Sequence, residues 1–118
     1  RMQVRDTVAQ YGAIVPTFWR LEIANSLWTA ERRARIDEAG RLARFDVMSV
    51  LPITTDRETD IHAWTATARL ATVHGLSVYD AAYLELALRS AKPLATQDGA
   101  LHAAARRALR RVGWIVRR

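Results

Sequence analysis

Short apolar runs alternate with longer segments of helical periodicity along the chain. The apolar runs are about three residues long, and three of the four adjoin a proline, a pattern that favours short strands. We predict strands near residues 13–15, 53–55, 94–96 and 114–116. Because these strands alternate with helical segments of ten residues or more, we predict an α/β fold with a short parallel sheet covered by helices on both faces.

The intervening segments carry apolar side chains at helical spacing. One helix is predicted from residue 17 to about 34 and another over 57–74. Asp56 is predicted to cap the start of the second helix, and Gly75 to end it in a left-handed conformation. The side chains expected to face the core are Phe18, Leu21, Ala24 and Leu27 in the first helix and Ile61, Trp64, Ala68 and Ala71 in the second.

Length and composition indicate one globular domain over residues 1–118. Half of the 118 residues are hydrophobic and a quarter are charged, as in ordinary soluble domains. The apolar runs fall short of the roughly 18 residues of a membrane span, and no secretory leader is recognisable, so we expect a cytoplasmic protein without a membrane partner. The absence of cysteine excludes disulfides and thiolate metal sites, which leaves hard divalent cations as candidate metals.

The formal charge of +6 comes almost entirely from arginine, which provides all but one of the 18 Lys and Arg residues. The arginines cluster at Arg32, Arg33 and Arg35, at Arg106, Arg107, Arg110 and Arg111, and at Arg117 and Arg118. Guanidinium groups match phosphate geometry, so a nucleic acid is one plausible partner. A solvated surface that reflects a bias toward arginine is the alternative.

Three carboxylates fall where parallel α/β folds bind ligands. Glu22 lies on the second turn of the helix that follows the first strand, Asp80 is near the start of another helix, and Asp98 directly follows strand 94–96. Strand carboxyl ends and the helix starts that follow them share one edge of such folds. Because clustered acids repel one another unless a cation lies between them, the pattern suggests a magnesium site.

Each acid also has a purely structural interpretation. Ser77 and Asp80 have the spacing of a capping box, and Asp98 is placed to cap the following helix. Glu22 would then be an ordinary exposed acid. The histidines, His62, His74 and His102, lack ligand spacing, and the sequence has no nucleophile elbow or phosphate-binding glycine loop.

Three segments, VPTFWRLEIANSLWTAERR, GLSVYDAAYLELALR and PLATQDGALHAAA, resemble in order and spacing the second, third and fourth motif regions of PIN-domain ribonucleases. They are most similar to the VapC-type toxin of bacterial VapBC toxin–antitoxin pairs. The resemblance implies a three-layer α/β/α sandwich with Glu22, Asp80 and Asp98 as the catalytic, metal-binding acids. It also makes Thr96 the hydroxyl neighbour of Asp98, and Asn25 the asparagine that follows the helix glutamate.

The activity implied by this resemblance is endoribonuclease hydrolysis of RNA that depends on Mg²⁺ or Mn²⁺. It further implies a VapB-like antitoxin as inhibitor and a toxin homodimer. The family opens with a central strand that ends in a metal-binding aspartate, and nothing before Gly12 matches that strand, since Asp6 lies in a helical pattern. We therefore expect this strand to be encoded upstream of Arg1.

Two other functions are compatible with the sequence. In the first alternative, the chain would be a catalytically silent module that binds nucleic acid or protein. This alternative would suit its charge and the unmatched first aspartate. Alternatively, it is a processed remnant whose apolar faces are covered by a partner.

The arginine clusters generate a direct prediction about salt. If they neutralise phosphates, the logarithm of the RNA association constant falls linearly with the logarithm of salt concentration, by about 0.7 per phosphate for single strands. Fluorescence anisotropy with a labelled single-stranded RNA, measured at several salt concentrations, gives this slope. A slope near zero would mean that the arginines form only a solvated surface and do not neutralise phosphates.

Overall fold

Parallel strands and longer helices alternate in the structure, a computed structural model that describes residues 12–91 and the strands at 94–96 and 115–117. In chain order the elements are β1 (Ala13–Val15), α1 (Trp19–Arg32), α2 (Glu38–Ser49), β2 (Ile53–Thr55), α3 (Thr59–His62), a π-helical segment (Ala63–Thr67), α4 (Ala68–His74), α5 (Val78–Ser90), β3 (Leu94–Thr96) and β4 (Ile115–Arg117). The chain has an α/β fold, as predicted.

The strands pair in parallel, in two separate pairs. Ala13 of β1 lies opposite Ile53 of β2, and Leu94 of β3 lies opposite Ile115 of β4. Three strands have their predicted bounds, whereas the last begins one residue later than predicted. The single sheet expected from the sequence is not seen among the described strands, because each of them has its ladder on one side only.

Helix α5 forms the centre of the described core. Its buried side chains are Ala81, Ala82, Leu84, Glu85, Leu86 and Ala87. The Ser77 hydroxyl accepts a hydrogen bond of 3.0 Å from the Asp80 backbone N–H at the start of the helix, which confirms this half of the predicted capping box. The helix packs against the π-helical segment and α4. No helix in the described part of the chain is both long enough and apolar enough to cross a membrane.

Three side chains predicted to face the core are exposed instead. Leu21, Ile61 and Trp64 have relative exposures of 75%, 70% and 94%. In the region of the second predicted helix, 57–74, the opposite face packs inward, and Thr59 and Thr67 are its buried residues. The size of the side chains therefore did not indicate which face of this helical region is buried. The π-helical turn also interrupts the regular 3.6-residue spacing that the prediction assumed.

Gly75 ends α4 as predicted, in the left-handed region with φ 64°. The predicted capping role of Asp56 is wrong, because the residue at the start of α3 is Glu58. Asp56 lies two residues earlier, where its carboxylate accepts a 3.0 Å hydrogen bond from the Thr59 hydroxyl and binds a stronger partner from α5.

That partner is Arg89, which joins α5 to the end of β2 through two buried carboxylates. Its Nε and Nη2 donate to Glu85 at 2.7 and 3.0 Å, and its Nη1 and Nη2 donate to Asp56 at 3.2 and 2.7 Å. The Asp56 and Glu85 side chains are only 5% and 6% exposed. The hydrogen bonds from Arg89 hold the pKa of Asp56 below its ordinary 3.8, against the opposing effect of burial.

Backbone and hydroxyl groups connect the end of β1 to the same cluster. The Thr17 N–H donates to the Thr59 hydroxyl at 3.0 Å, and the Thr17 hydroxyl donates to the Asp56 carbonyl at 3.0 Å. The Asp56 N–H donates to the Val15 carbonyl at 2.7 Å. The turn that leads into α1 is therefore fixed relative to β2, and through Arg89 relative to α5.

We predict that Arg89→Met destabilises the protein by about 3 kcal/mol or more, because it leaves two buried carboxylates without their cation. Chemical denaturation at neutral pH measures this loss. Arg57→Met is the matched control, since Arg57 is exposed and its replacement should change the unfolding free energy by less than about 0.5 kcal/mol. Equal effects of the two substitutions would contradict a structural role for the cluster.

Acid titration provides a second test of the cluster. Because the folded-state pKa of Asp56 is lowered, its contribution to stability is present above the unfolded pKa of about 3.8 and is lost as the pH falls through the folded value. The unfolding free energy of Asp56→Asn, although lower at neutral pH, should therefore depend less on pH than that of the wild type below pH 4. Parallel pH profiles for the two proteins would contradict this assignment.

Candidate functional site

The start of α1 and the start of α5 meet through a tyrosine and a glutamate. The Tyr83 hydroxyl donates a hydrogen bond of 2.5 Å to Oε1 of Glu22. Glu22 lies in the first turn of α1, and Tyr83 lies one turn after Asp80 along α5. This contact brings together parts of the chain that are 61 residues apart.

An aromatic cluster supports the contact. The Phe18 ring, at the start of α1, meets the Tyr83 ring edge to face, with 5.8 Å between centroids and an interplanar angle of 78°. It meets Tyr79 in the same way, at 5.2 Å and 89°. Such edge-to-face pairs contribute about 0.5–1.5 kcal/mol beyond their burial. Together they fix how α1 lies against α5.

Two carboxylates act on the Tyr83 phenol. Its pKa is raised above the ordinary 10.0 by burial first, then by the hydrogen bond to Glu22, the charge of Glu22 and the charge of Asp80. The phenol therefore stays protonated at neutral pH and remains a hydrogen-bond donor. Two of the three predicted acids, Glu22 and Asp80, thus oppose ionisation of the same hydroxyl group.

The other predicted site residues are described only in part. Asn25 is exposed on α1, one turn beyond Glu22. Thr96 ends β3, and only its backbone is described. Asp98 lies outside the described residues, so its convergence with Glu22 and Asp80 stays a prediction.

The two described acids, Glu22 and Asp80, have the type of ligand atom that hard cations prefer. Carboxylate oxygens are the usual protein ligands of Mg²⁺ and Mn²⁺, and the second oxygen of Glu22, Oε2, accepts no hydrogen bond from the described residues. Within residues 12–91 no three histidine, aspartate or glutamate side chains are grouped closely enough to hold a metal ion. The described site thus offers Glu22 and Asp80, while the predicted third ligand, Asp98, lies beyond this part of the chain.

The surroundings of His62, Trp28 and Trp64 are described by the structure. The Nε2 atom of His62 is 3.4 Å from Oε1 of Glu58, one turn earlier on the same helix. Trp64, which was predicted to face the core, is exposed, and Trp28 is about half exposed. The Arg32 guanidinium lies over the Trp28 ring, 4.6 Å from its centroid.

The sequence patterns did not predict the roles of Tyr83 and of the Arg89 cluster. Tyr83 has a recognisable signal, because it lies three residues after Asp80 and so shares its face of a helix. The spacing of Glu85 and Arg89 is likewise that of a helical ion pair. Their link to Asp56 has no local signal, since Asp56 and Arg89 are 33 residues apart.

Comparison with known proteins adds information on the fold alone. No family model matches the chain, and no curated protein matches it. The crystal structure of PAE2754 from Pyrobaculum aerophilum is similar, with a TM-score of 0.64 and 24% sequence identity over 95% of this chain and 76% of that chain. This likeness shows that the arrangement of strands and helices recurs in a solved structure.

Proposed function

We propose that this protein is a divalent-metal-dependent endoribonuclease of the PIN-domain class, a VapC-type toxin that hydrolyses RNA phosphodiesters. The observation that carries the proposal is the hydrogen bond by which Tyr83 of α5 joins Glu22 of α1, one helical turn from Asp80. These are the two described acids to which the sequence resemblance gives catalytic roles. Asp80 lies one turn before Tyr83 on the same helix, so the long-range hydrogen bond to Glu22 is what brings the two acids into one region.

The strand arrangement also supports the proposal. The described strands form two parallel pairs without a ladder between them, and the resemblance implies that the family's first strand lies in the middle of the sheet. The proposal therefore includes a three-layer α/β/α sandwich in which both pairs belong to one sheet.

In this proposal Glu22, Asp80 and Asp98 would hold Mg²⁺ or Mn²⁺, which would supply water activation and charge neutralisation when bound. The water oxygen would add in line to the phosphorus as the bond to the leaving oxygen breaks, with one water proton lost to solvent and one proton taken up by the leaving oxygen. Asn25 and Thr96 support the acids from neighbouring positions. Arginine side chains bind the RNA backbone and position it without reading its sequence.

Protein partners are part of the proposal. Exposed large apolar side chains on α1 and on the α3 to α4 region, among them Leu21, Ile61 and Trp64, support contact with another polypeptide. A VapB-like antitoxin and a second copy of the chain are the partners that the resemblance implies. We also propose a cytoplasmic location, where such a toxin meets RNA.

Replacing Asp80 by asparagine tests the proposal, since asparagine retains much of a helix-capping residue's hydrogen bonding but lacks the negative charge. We predict that Asp80→Asn lowers Mn²⁺-dependent RNA cleavage by the full-length protein at least about 100-fold. Its unfolding free energy should change by about 1 kcal/mol or less. Cleavage of a labelled RNA and chemical denaturation measure the two effects.

Asp46→Asn is the matched control, because Asp46 is an exposed helical acid on α2 and the substitution changes the net charge equally. Its cleavage rate should equal that of the wild type. Near-normal cleavage by Asp80→Asn would leave Asp80 as a helix cap only. A wild-type protein that binds RNA with Mn²⁺ present but leaves it intact would instead indicate a silent binding module.

A further inference from the structure

We propose that Tyr83 is a positioning residue that orients Glu22 for metal binding. This inference rests on the proposed function, because it concerns the same site. Oε1 of Glu22 accepts the hydrogen bond from Tyr83, and Oε2 is the oxygen left to bind a divalent cation. Tyr83 thus acts through Glu22 and does not itself contact metal or RNA.

The geometry of the contact favours this role. The Tyr83 hydroxyl donates to one oxygen of the Glu22 side chain, and carboxylates are strong hydrogen-bond acceptors. Glu22 is exposed, and a glutamate side chain on a surface otherwise samples several rotamers. The hydrogen bond therefore selects one orientation before a cation arrives, which reduces the ordering cost of binding.

Tyr83 is suited to this task because its own ring is held in place. Phe18 packs edge to face against it, and the half-buried ring lies on α5, the helix with the most buried side chains in the described part of the chain. The turn that leads into α1 is fixed to β2 and α5 by Thr17, Asp56 and Arg89. Both ends of the hydrogen bond thus start from fixed backbone.

Outer groups that orient metal ligands typically change metal affinity 10- to 100-fold when removed. We expect Tyr83→Phe, which keeps the ring and its contact with Phe18, to raise the Mn²⁺ dissociation constant of the full-length protein about tenfold. Tyr79→Phe is the matched control, because it also removes a hydroxyl from a ring that contacts Phe18 and should leave Mn²⁺ affinity unchanged. Electron paramagnetic resonance of free Mn²⁺ gives the dissociation constants without RNA, and thermal melts of the metal-free proteins verify folding.

A second background tests whether Tyr83 acts through Glu22. Glu22→Asp keeps the carboxylate but shortens the side chain by one methylene, which removes its reach to the Tyr83 hydroxyl. In that background Tyr83→Phe should change the Mn²⁺ dissociation constant less than twofold. A tenfold effect that persists there would overturn the positioning role, because the hydroxyl would then act by another route.

RNA cleavage separates the remaining outcomes. At limiting Mn²⁺ the kcat of Tyr83→Phe should fall, and saturating Mn²⁺ should restore it, with KM for RNA unchanged. Equal Mn²⁺ affinities of the wild type and Tyr83→Phe would overturn the positioning role alone, while the wild type still binds metal and cleaves. A wild-type protein with no Mn²⁺ binding would overturn both this inference and the proposed function.

Discussion

The Arg89 guanidinium is the interaction on which the rest of the described structure depends. It binds Glu85 on its own helix and Asp56 beyond β2, and both carboxylates are almost fully buried. A buried ion pair adds little net stability, but removal of one partner leaves the others uncompensated. The cluster therefore specifies one arrangement of α5 against the parallel pair β1 and β2 more than it strengthens the fold.

That arrangement determines where the candidate site lies. Thr17 connects the end of β1 to Asp56 and Thr59, and α1 begins two residues later. The first turn of α1 carries Glu22 toward Tyr83 on α5. A site made of one acid from each of two helices thus depends on a cluster at the opposite end of α5, which carries no part of the proposed chemistry.

Short-range sequence patterns predicted much of this architecture, but they did not predict the contacts between residues that are far apart in the sequence. Strand bounds followed from apolar runs with clear limits, and the Ser77 cap and the turn at Gly75 followed from local backbone chemistry. Trp64 was assigned to the wrong face because a bulky side chain suggested burial, whereas Thr59 and Thr67 are the residues of this region that are buried. The roles of Asp56 and Tyr83 were missed, since each depends on a partner at least 33 residues away.

The measurement that tests the account most directly is an anomalous difference map from crystals of the full-length protein grown with Mn²⁺. The account predicts a peak bound by carboxylate oxygens of Glu22 and Asp80, with metal–oxygen distances of about 2.1 Å. The Tyr83 hydroxyl should remain hydrogen bonded to the other oxygen of Glu22. The account would be contradicted by a map that has no peak at these acids and shows their carboxyl groups more than about 12 Å apart. That distance is too great for the two acids to share even a two-metal cluster.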